Sequence, residues 1–267
     1  MFSVLIPVSP KENPHNLNEA LKSVFEQSLM SNDIVLVKDG IFPSDLDNVV
    51  DYYSNKYPDI MVVVALRHSH RIAGALNAGL EKCKNNLIAR MDSDDISERD
   101  RFENQFIYME NHKEVDLVGG HISEFSDENA HFMLRKVPLD YHEIKLAMRK
   151  RNPFNHVTVM FRKTSLVSVG GYIQLDNHVD YFMWIRMALE NKNMVNLDKV
   201  FVKVRTGEAQ MHRRGGFKYL LSEIKFYRAI SKLGFLSNFQ ILVNLAIRIP
   251  FRLAPARVRV IMYRWLR

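Results

Sequence analysis

The chain contains one cysteine, Cys83, among its 267 residues. A disulfide framework and a cysteine-rich zinc site are therefore excluded, and this usage is typical of proteins in a reducing cytosol. No run of about 18 apolar residues occurs, so we expect no segment that crosses a bilayer. Residues 1–7 lack the basic start of a signal peptide, and we expect them to form a strand instead.

Acidic residues are absent after Glu223, although the whole chain holds 30 of them. The segment after Glu223 carries nine of the 37 lysine and arginine residues, which leaves 28 basic against 30 acidic residues before it. The net charge of +7 therefore originates in the C-terminal segment. A positive charge concentrated in this way indicates an anionic partner and says little about the fold.

Strand-like and helix-like patterns alternate along the first part of the chain. Hydrophobic residues make up 47% of the sequence, which is enough to bury a large core. Apolar runs predict four strands with helical periodicity between them, at residues 2–8, 33–38, 61–66 and 87–91. This alternation predicts an α/β fold with a parallel, doubly wound sheet. After residue 95 we expect helices at 100–111, 141–151 and 179–191, and strands at 115–121, 156–162 and 194–204.

The stretch LIARMDSDD, residues 87–95, begins as an apolar strand and ends in three carboxylates. Asp92 and Asp94 are two residues apart, so in extended backbone they project to the same face. Two such carboxylates repel each other unless a cation lies between them. Mg²⁺ and Mn²⁺ take oxygen ligands and often retain substrate phosphates in their coordination shell. The stretch predicts a divalent metal site, and a solvated acidic turn before the next helix is the alternative.

Two further polar residues are expected at the same edge of the sheet. Asp39 ends the second strand, and Arg71 begins the third helix. The carboxyl ends of parallel strands lie along one edge, where open α/β sheets bind their ligands. Asp39 can accept a hydrogen bond from a nucleobase N–H, and Arg71 can donate one to a nucleobase carbonyl. Taken singly, Asp39 is equally typical of a turn and Arg71 of a helix surface.

The order and spacing of several motifs resemble the family 2 glycosyltransferases of the GT-A fold, over residues 1–210. They are VLIPV (4–8), KDG (38–40), RIAGALNAGL (71–80), ARMDSDD (89–95), RFENQ (101–105), NPFNHVTVMFRK (152–163), VGGY (169–172) and VDYFMWIR (179–186). Within that family the chain is similar to bacterial enzymes that extend lipid-linked O-antigen or capsule repeat units.

The resemblance implies a site for a nucleotide-sugar donor. Asp39 and Arg71 fall where the family contacts uracil. Asp92 falls where the family contacts the ribose or the metal, and Asp94 where it binds Mn²⁺ or Mg²⁺ on the diphosphate. Pro7, in the first motif, is a further donor-binding candidate.

A pair of arginines, Arg213 and Arg214, stands beside Gly215 and Gly216. Arginines next to glycines suit a loop that folds over a diphosphate once the donor is bound. We therefore predict that both arginines contact the donor, with His212 as a weaker addition. An ordinary basic hinge is the alternative.

The resemblance also implies a catalytic base at Asp180. Inverting members carry a Glu-Asp pair before an aromatic residue and a tryptophan, but Val179 replaces the first acid here, and Lys38 stands where many members have an aspartate. Inversion is a direct displacement by an acceptor hydroxyl, so a carboxylate must take up its proton. Asp176 is the rival candidate for this base.

Two residues are candidates for contact with the acceptor. His156, in the run Asn-His-Val-Thr, is either an acceptor-site residue or a structural histidine. Trp184 can stack on a sugar ring, and a position in the core is the alternative.

We expect a GT-A domain at residues 1–210 and a basic amphipathic helical tail at residues 211–267. The tail mixes arginines with aromatic and aliphatic residues and is interrupted by Pro250 and Pro255. This composition suits an anionic membrane surface, and packing back on the domain is the alternative. Nucleic acid is not an expected partner, because no recognised nucleic-acid motif accompanies the charge. The prediction is a peripheral protein at the cytoplasmic face of the inner membrane.

With the resemblance, we expect an inverting, metal-dependent transfer of a hexose from a UDP-sugar. Galactose or glucose is expected as the hexose, and GlcNAc- or GalNAc-diphospho-undecaprenol as the acceptor, in a β1,3 linkage. A sugar nucleotidyltransferase is one alternative, although it would release pyrophosphate and gives no role to Asp180 or to the tail. A sugar-nucleotide-binding protein without activity is another, but it should have a damaged metal or base position. The residues alone do not distinguish between donor sugars or between acceptor sugars.

Overall fold

The computed structural model describes residues 1–126, 129–206 and 215–254. Its strands form one mixed sheet, with bounds β1 Ser3–Val8, β2 Asp33–Asp39, β3 Met61–Leu66, β4 Leu87–Arg90, β5 Ile96–Ser97, β6 Leu117–Ser126, β7 Asn129–Arg135, β8 Met160–Arg162 and β9 Met194–Arg205. The α-helices are α1 Pro14–Phe25, α2 Ser44–Lys56, α3 Arg71–Lys82, α4 Arg101–Asn111, α5 Tyr141–Met148, α6 Lys163–Ser168, α7 Val179–Leu189, α8 Phe217–Lys232 and α9 Asn238–Leu253. Two 3₁₀ turns, His156–Thr158 and Asp176–His178, precede β8 and α7.

The first four strands form the parallel part of the sheet, in the order β3-β2-β1-β4. All six residues of β1 are buried, as expected for a parallel strand covered by helices on both faces. The doubly wound arrangement predicted from the apolar runs is confirmed for this part. Its carboxyl ends share one edge, and that edge carries the predicted polar residues.

The second part of the sheet is mixed. β8 runs antiparallel to both β4 and β6, and β9 is parallel to β6 and antiparallel to β5. The expectation of one β-rich run over residues 156–162 is wrong in its first half, which forms a 3₁₀ turn. The side chain of Thr158 stabilises that turn, because its hydroxyl donates to Asn155 O at 2.8 Å and accepts from Gly120 N at 3.1 Å.

The sequence has typical N-cap residues at two predicted helix starts, Asn13 before Pro14 and Ser44 before a helix that extends to about Ser54. α1 begins as expected, with Asn13 accepting from His15 N at 2.9 Å and a proline at the first helical position. The prediction that Ser44 caps α2 is wrong, because Ser44 is already helical and Pro43 precedes the helix without a side-chain cap. Two acidic residues in the first turn of α2, Asp45 and Asp47, instead complement the helix dipole.

The core lies on both faces of the sheet, because neighbouring residues of β1 point to opposite sides. On one face, β1 packs against α1, α2 and α4, through residues that include Val4, Ile6, Leu17, Leu46 and Phe102. On the other face, the packing involves α3, α5, α7 and α8, through Leu5, Val35, Leu76, Ile144, Trp184 and Phe226.

The two C-terminal helices pack on the second face of the core. Phe226, Tyr227 and Ile230 of α8 are buried in the same cluster as α7, so packing on the domain, one of the two expectations for the tail, applies to this part. α9 continues through Pro250 to Leu253, so the expected interruption at this proline is wrong. Pro250 has no N–H to donate to the carbonyl of Ala246, but Ala246 is exposed, so water can replace the lost hydrogen bond. Among the described residues, no helix combines the length and the apolar character needed to cross a membrane.

A buried carboxylate anchors α9 to α8. Glu223 is fully buried and accepts hydrogen bonds from Arg252 at 2.9 and 3.1 Å and from Arg248 at 2.8 Å. Burial raises the pKa of Glu223, but the hydrogen bonds and charges of Arg252 and Arg248 outweigh it, so the net pKa is lowered. The carboxylate therefore stabilises the fold above its pKa in the unfolded chain. This stabilisation is lost as the pH falls through the lowered value.

We expect Glu223→Ala to destabilise the protein by roughly 3–5 kcal/mol, because it leaves two partly or fully buried guanidinium groups without a counter-ion. Thermal unfolding measures the loss, and hydrogen exchange over Asn238–Leu253 should accelerate as α9 loosens. Glu190→Ala, at an exposed position after α7, is the control. An unchanged melting temperature in Glu223→Ala would contradict this account of the cluster.

Candidate active site

The carboxyl ends of β1, β2 and β4 lie side by side at one edge of the sheet. In the parallel register, Val8 pairs with Lys38 and Leu5 with Arg90. Asp39, which ends β2, and Asp92, two residues beyond β4, therefore emerge at the same edge. This is the part of an open α/β sheet that binds ligands.

The turn after β4 concentrates negative charge. Carboxylate oxygens of Asp92, Asp94 and Asp95 lie within 4.8 Å of one another. Burial, followed by the charges of Asp92 and Glu12, raises the pKa of Asp94 to about 7, and burial beside the other two aspartates raises the pKa of Asp95 well above its usual value. A cluster with so much uncompensated charge and only oxygen donors fits a hard divalent cation. Asp95 therefore joins Asp92 and Asp94, the two residues predicted from the sequence, as a candidate metal ligand.

Contacts from distant parts of the chain hold this acidic turn in shape. Asp95 accepts from the backbone N of Arg205, the last residue of β9, at 2.8 Å. The Arg205 side chain also donates to Asp94 O at 3.2 Å. Ser93 donates to Glu12 at 2.7 Å. The roles of Glu12, Asp95 and Arg205 were not predicted, because these contacts join residues up to 111 positions apart.

A buried arginine neutralises part of the charge. Arg90 is 4% exposed and donates to both carboxylate oxygens of Asp92, one of them at 2.6 Å. The sequence could have indicated this ion pair, because Arg90 and Asp92 are two residues apart and side chains at that spacing project to the same face of a strand. Arg90 already forms an ion pair with Asp92. A cation would therefore stabilise Asp94 and Asp95 most.

The residues predicted to bind the nucleobase lie close to each other. Asp39 accepts from His70 N at 2.6 Å and from Ser69 Oγ at 2.9 Å, and so fixes the loop that leads into α3. Arg71 follows directly, with a left-handed φ of 57° and an exposed side chain. A non-glycine residue in that region is uncommon and is often found at functional sites. Arg71 lines an open cleft of about 690 Å³ together with Gln174 and residues of α8.

The remaining donor candidates are not tested by these contacts. Pro7 is buried in β1, where it pairs with Val37, so it shapes the strand end. Arg213 and Arg214 lie outside the described residues, as does His212. Their predicted roles stay predictions.

Asp180 lies in the first turn of α7 and is half-buried. Asn152 donates from Nδ2 to Asp180 Oδ2 at 2.6 Å. Burial raises the pKa of Asp180 above its usual value, against the opposing effects of Asn152 and Arg90. The positive charge of Arg90, which pairs with Asp92, is thus one of the groups that lower the pKa of Asp180.

The rival base has a different environment. Asp176 is exposed, has a φ of 38° and forms an ion pair with Lys225 of α8 at 3.3 Å. The ion pair with Lys225 ties the Asp176 carboxylate to α8, whereas the Asp180 carboxylate is oriented by the amide of Asn152. Asp180 therefore stays the predicted base.

His156 and Trp184 occupy adjacent positions with different exposure. His156 is hydrogen-bonded through Nε2 to the Tyr172 hydroxyl at 3.1 Å, and burial lowers the pKa of His156 well below its usual value, so the ring is neutral. Trp184 is fully buried and packs against the rings of Phe154 and His156. The expectation that Trp184 stacks on a sugar does not fit this position, and the core interpretation does.

Comparisons with known proteins find that the chain is similar to sugar-transferring enzymes. The sequence model of a family described as "Glycosyl transferase family 2" matches residues 3–174. The amylovoran biosynthesis glycosyltransferase AmsE of Erwinia amylovora is 40% identical over 266 residues, which cover 98% of each chain. A UDP-Gal:alpha-D-GlcNAc-diphosphoundecaprenol beta-1,3-galactosyltransferase of Escherichia coli is 32% identical over 98% of this chain and 95% of its own length.

A solved structure resembles the whole chain. The mannosyltransferase PcManGT from Pyrobaculum calidifontis, in complex with GDP-Man and Mn²⁺, matches with a TM-score of 0.60 at 15% identity. The match covers 99% of this chain and 79% of that chain. At this identity, the likeness concerns the fold alone.

We expect Asp94→Asn to weaken Mn²⁺ binding by more than the roughly 10–100-fold that loss of a supporting residue typically costs, because it removes a ligand and a charge. The paramagnetic resonance signal of free Mn²⁺ during a titration measures the affinity. Asp59→Asn, at an exposed position far from the turn, is the control. Equal affinity of Asp94→Asn and wild-type protein would contradict the assignment.

Proposed function

The chain belongs to glycosyl transferase family 2 and is a glycosyltransferase with a GT-A fold, and from this premise we propose that it transfers a hexose from a UDP-sugar to a lipid-linked sugar with inversion. The proposed acceptor is GlcNAc- or GalNAc-diphospho-undecaprenol. Galactose or glucose is the proposed donor sugar, and β1,3 the proposed linkage.

One observation carries this proposal: the site holds a carboxylate trio of metal-binding type and a separate half-buried carboxylate, Asp180, oriented by Asn152, and the charge of the buried Arg90 acts on both. The trio suits a divalent cation that binds the diphosphate of a nucleotide-sugar, and Asp180 suits the hydroxyl that attacks the sugar. Inverting transfer needs both functions at once, on opposite sides of the anomeric carbon.

Asp180 would act as the general base. It takes the proton of the attacking hydroxyl, and the hydrogen bond from Asn152 keeps its carboxylate oriented. Its raised pKa makes Asp180 a better proton acceptor than an exposed aspartate, provided that the group is ionised at the working pH. His156, which is hydrogen-bonded to Tyr172 and whose pKa burial lowers, would contribute a polar wall for the acceptor.

Asp94 and Asp95, with Asp92 beside them, would hold Mn²⁺ or Mg²⁺. The bound cation would stabilise the charge that develops on the departing nucleoside diphosphate. The manganese in the Pyrobaculum calidifontis neighbour supports this choice of metal. Asp39 and Arg71 would contact the uracil, and Arg213 and Arg214 would close over the diphosphate.

The Escherichia coli relative supports the proposed donor and acceptor, because its name specifies UDP-Gal and GlcNAc-diphosphoundecaprenol. An undecaprenyl chain stays in the bilayer, so the enzyme must reach the sugar from the membrane surface. We therefore propose a peripheral location at the cytoplasmic face of the inner membrane. Residues 211–267 would supply the attachment, in addition to the packing of α8 on the domain.

A sugar nucleotidyltransferase would also use a metal at the end of a nucleotide-binding sheet. It requires no half-buried base near the acceptor side. A binding protein without activity should lack one of the two carboxylate sites. Asp94 and Asp180 are both present, so the arrangement favours transfer.

A panel of UDP-sugars tests the proposal. Purified protein with a synthetic GlcNAc-diphospho-lipid should release UDP and form a disaccharide product, with UDP-galactose or UDP-glucose as the preferred donor. Turnover should stop in excess EDTA and return with Mn²⁺ or Mg²⁺. Release of pyrophosphate, or transfer that continues in EDTA, would contradict the proposed reaction.

We expect Asp180→Asn to lower kcat by roughly 10²–10⁴-fold, the usual scale for a general base, with donor binding nearly unchanged. Asp176→Asn is the matched control, because it removes a carboxylate four residues away that pairs with Lys225. Single-turnover kinetics and calorimetric UDP binding separate the two effects. A large kcat loss in Asp176→Asn with none in Asp180→Asn would reverse the assignment.

A further inference from the structure

An apolar stripe runs along the outer face of α9. Its members recur at intervals of three and four residues, so they align on one side of the helix. Their side chains are 74%, 65%, 41% and 69% exposed, at Phe239, Leu242, Val243 and Ile247 respectively. Ala246 and Pro250, on the same side, are exposed as well. A contiguous exposed apolar face of this kind marks an interaction site.

The opposite side of α9 is firmly attached to the protein. Ile241 and Leu245 pack against the hydrophobic core, and Arg248 and Arg252 bind the buried carboxylate of Glu223. The apolar stripe therefore has a fixed outward direction. Turning the stripe inward would break the Glu223 cluster.

Three consecutive cations flank the stripe. Arg149, Lys150 and Arg151 follow α5 and are all exposed. Within the part of the chain that the structure describes, none of the three forms an ion pair. Asn244 donates to Arg149 O at 3.0 Å, and Arg248 donates to Lys150 O at 2.5 Å.

These two contacts attach the backbone of the basic segment to α9. Asn244 lies about 100° round the helix from the stripe residue Val243, and Arg248 lies on the side that faces Glu223. The segment comes from a part of the chain almost 100 positions earlier. The fold, and not the composition of the tail, brings the cations to the stripe.

We propose that the apolar stripe of α9 and residues 149–151 together form a docking surface for an anionic lipid bilayer. The stripe enters the region between headgroups and acyl chains, and the cations bind lipid phosphates. This inference rests on the proposed function in one respect, that the acceptor sugar is attached to a lipid. It specifies which residues reach the membrane.

Charge favours a lipid surface over a second copy of this chain. A symmetric pair would bring the same cations face to face, and like charges across an interface oppose association. The sequence beyond α9 adds four arginines, at positions 257, 259, 264 and 267, without an acidic residue. An anionic bilayer complements all of these charges.

Docking in this orientation places the bilayer next to the segment that contacts the proposed base. Asn152 follows the basic segment directly, and its amide is 2.6 Å from the Asp180 carboxylate. Asn152 therefore connects the proposed docking surface to the proposed base: it follows residue 151 in the chain and donates a hydrogen bond to Asp180. An acceptor whose diphosphate lies among the lipid headgroups would present its sugar close to Asp180.

Vesicle flotation of the full-length protein tests the proposal, with phosphatidylcholine vesicles that contain or lack phosphatidylglycerol. The variant Arg149→Ser/Lys150→Ser/Arg151→Ser should weaken binding to anionic vesicles by roughly fivefold for each charge removed, at low salt. The variant Phe239→Ser/Leu242→Ser/Ile247→Ser should lose most binding at both low and high salt, because its defect is hydrophobic. Both variants should unfold at the wild-type temperature, since the altered side chains are exposed.

Matched controls lie on the other face of the sheet. Lys22→Ser/Lys56→Ser/Lys113→Ser removes three exposed cations from the region of α1, α2 and α4, and Ile107→Ser removes an exposed apolar residue from α4. Both controls should bind as the wild-type protein does. If they lose as much binding as the α9 and 149–151 variants, only net charge and overall hydrophobicity matter, and the proposal fails.

Two further outcomes would overturn the proposal. The first is wild-type flotation in both test variants. The second is a sedimentation experiment in which the stripe variant dissociates a dimer while its vesicle binding is unchanged, which would make the stripe a contact between copies. Flotation is measured without a donor, so a failed UDP-sugar panel would refute the proposed function and leave this result intact.

Discussion

The repulsion within the turn after β4 is the constraint on which the rest of the site depends. Oxygens of three carboxylates lie within 4.8 Å of one another, and Arg90 forms hydrogen bonds with one of the three, Asp92. A turn of that composition does not hold its shape unaided. The end of β9 provides the support, through the backbone N–H and side chain of Arg205. The repulsion among these carboxylates is what gives the turn its proposed affinity for a divalent cation.

The first half of the fold was predictable because its strands are buried on both faces. Such strands appear as continuous apolar runs, and their polar ends mark the ligand edge, which gave Asp39, Asp92 and Asp94 their expected positions. The partners of these residues were not predictable. Asp95 meets Arg205 beside the pairing of β5 with β9, and Asn152 meets Asp180 across 28 positions of the chain. The periodicity of apolar residues predicts which face of a helix or strand a residue lies on. It does not predict which residue distant in sequence it will contact.

The C-terminal segment illustrates a limit of counting charges. All nine of its cations were attributed to an external partner, yet Arg248 and Arg252 neutralise Glu223, and Lys225 pairs with Asp176. Glu223, the last acidic residue of the chain, is the counter-ion that orders the segment following it. The apolar residues of that segment were noticed in the sequence, but their division into a buried side and an outward side required the orientation that this cluster imposes.

The two parts of the proposed site come from different segments of the chain, which meet at the antiparallel strand β8. The proposed donor residues described in the structure precede α4, whereas Asn152, His156 and Asp180 follow α5, and the two sets adjoin where β4 pairs with β8. Because Arg205 of β9 supports the acidic turn, substitutions near Asn152 and His156 are the ones that can remodel the proposed acceptor side while the nucleotide edge keeps its shape. A glycosyltransferase lineage with this arrangement can change its acceptor without evolving a new way to hold the donor.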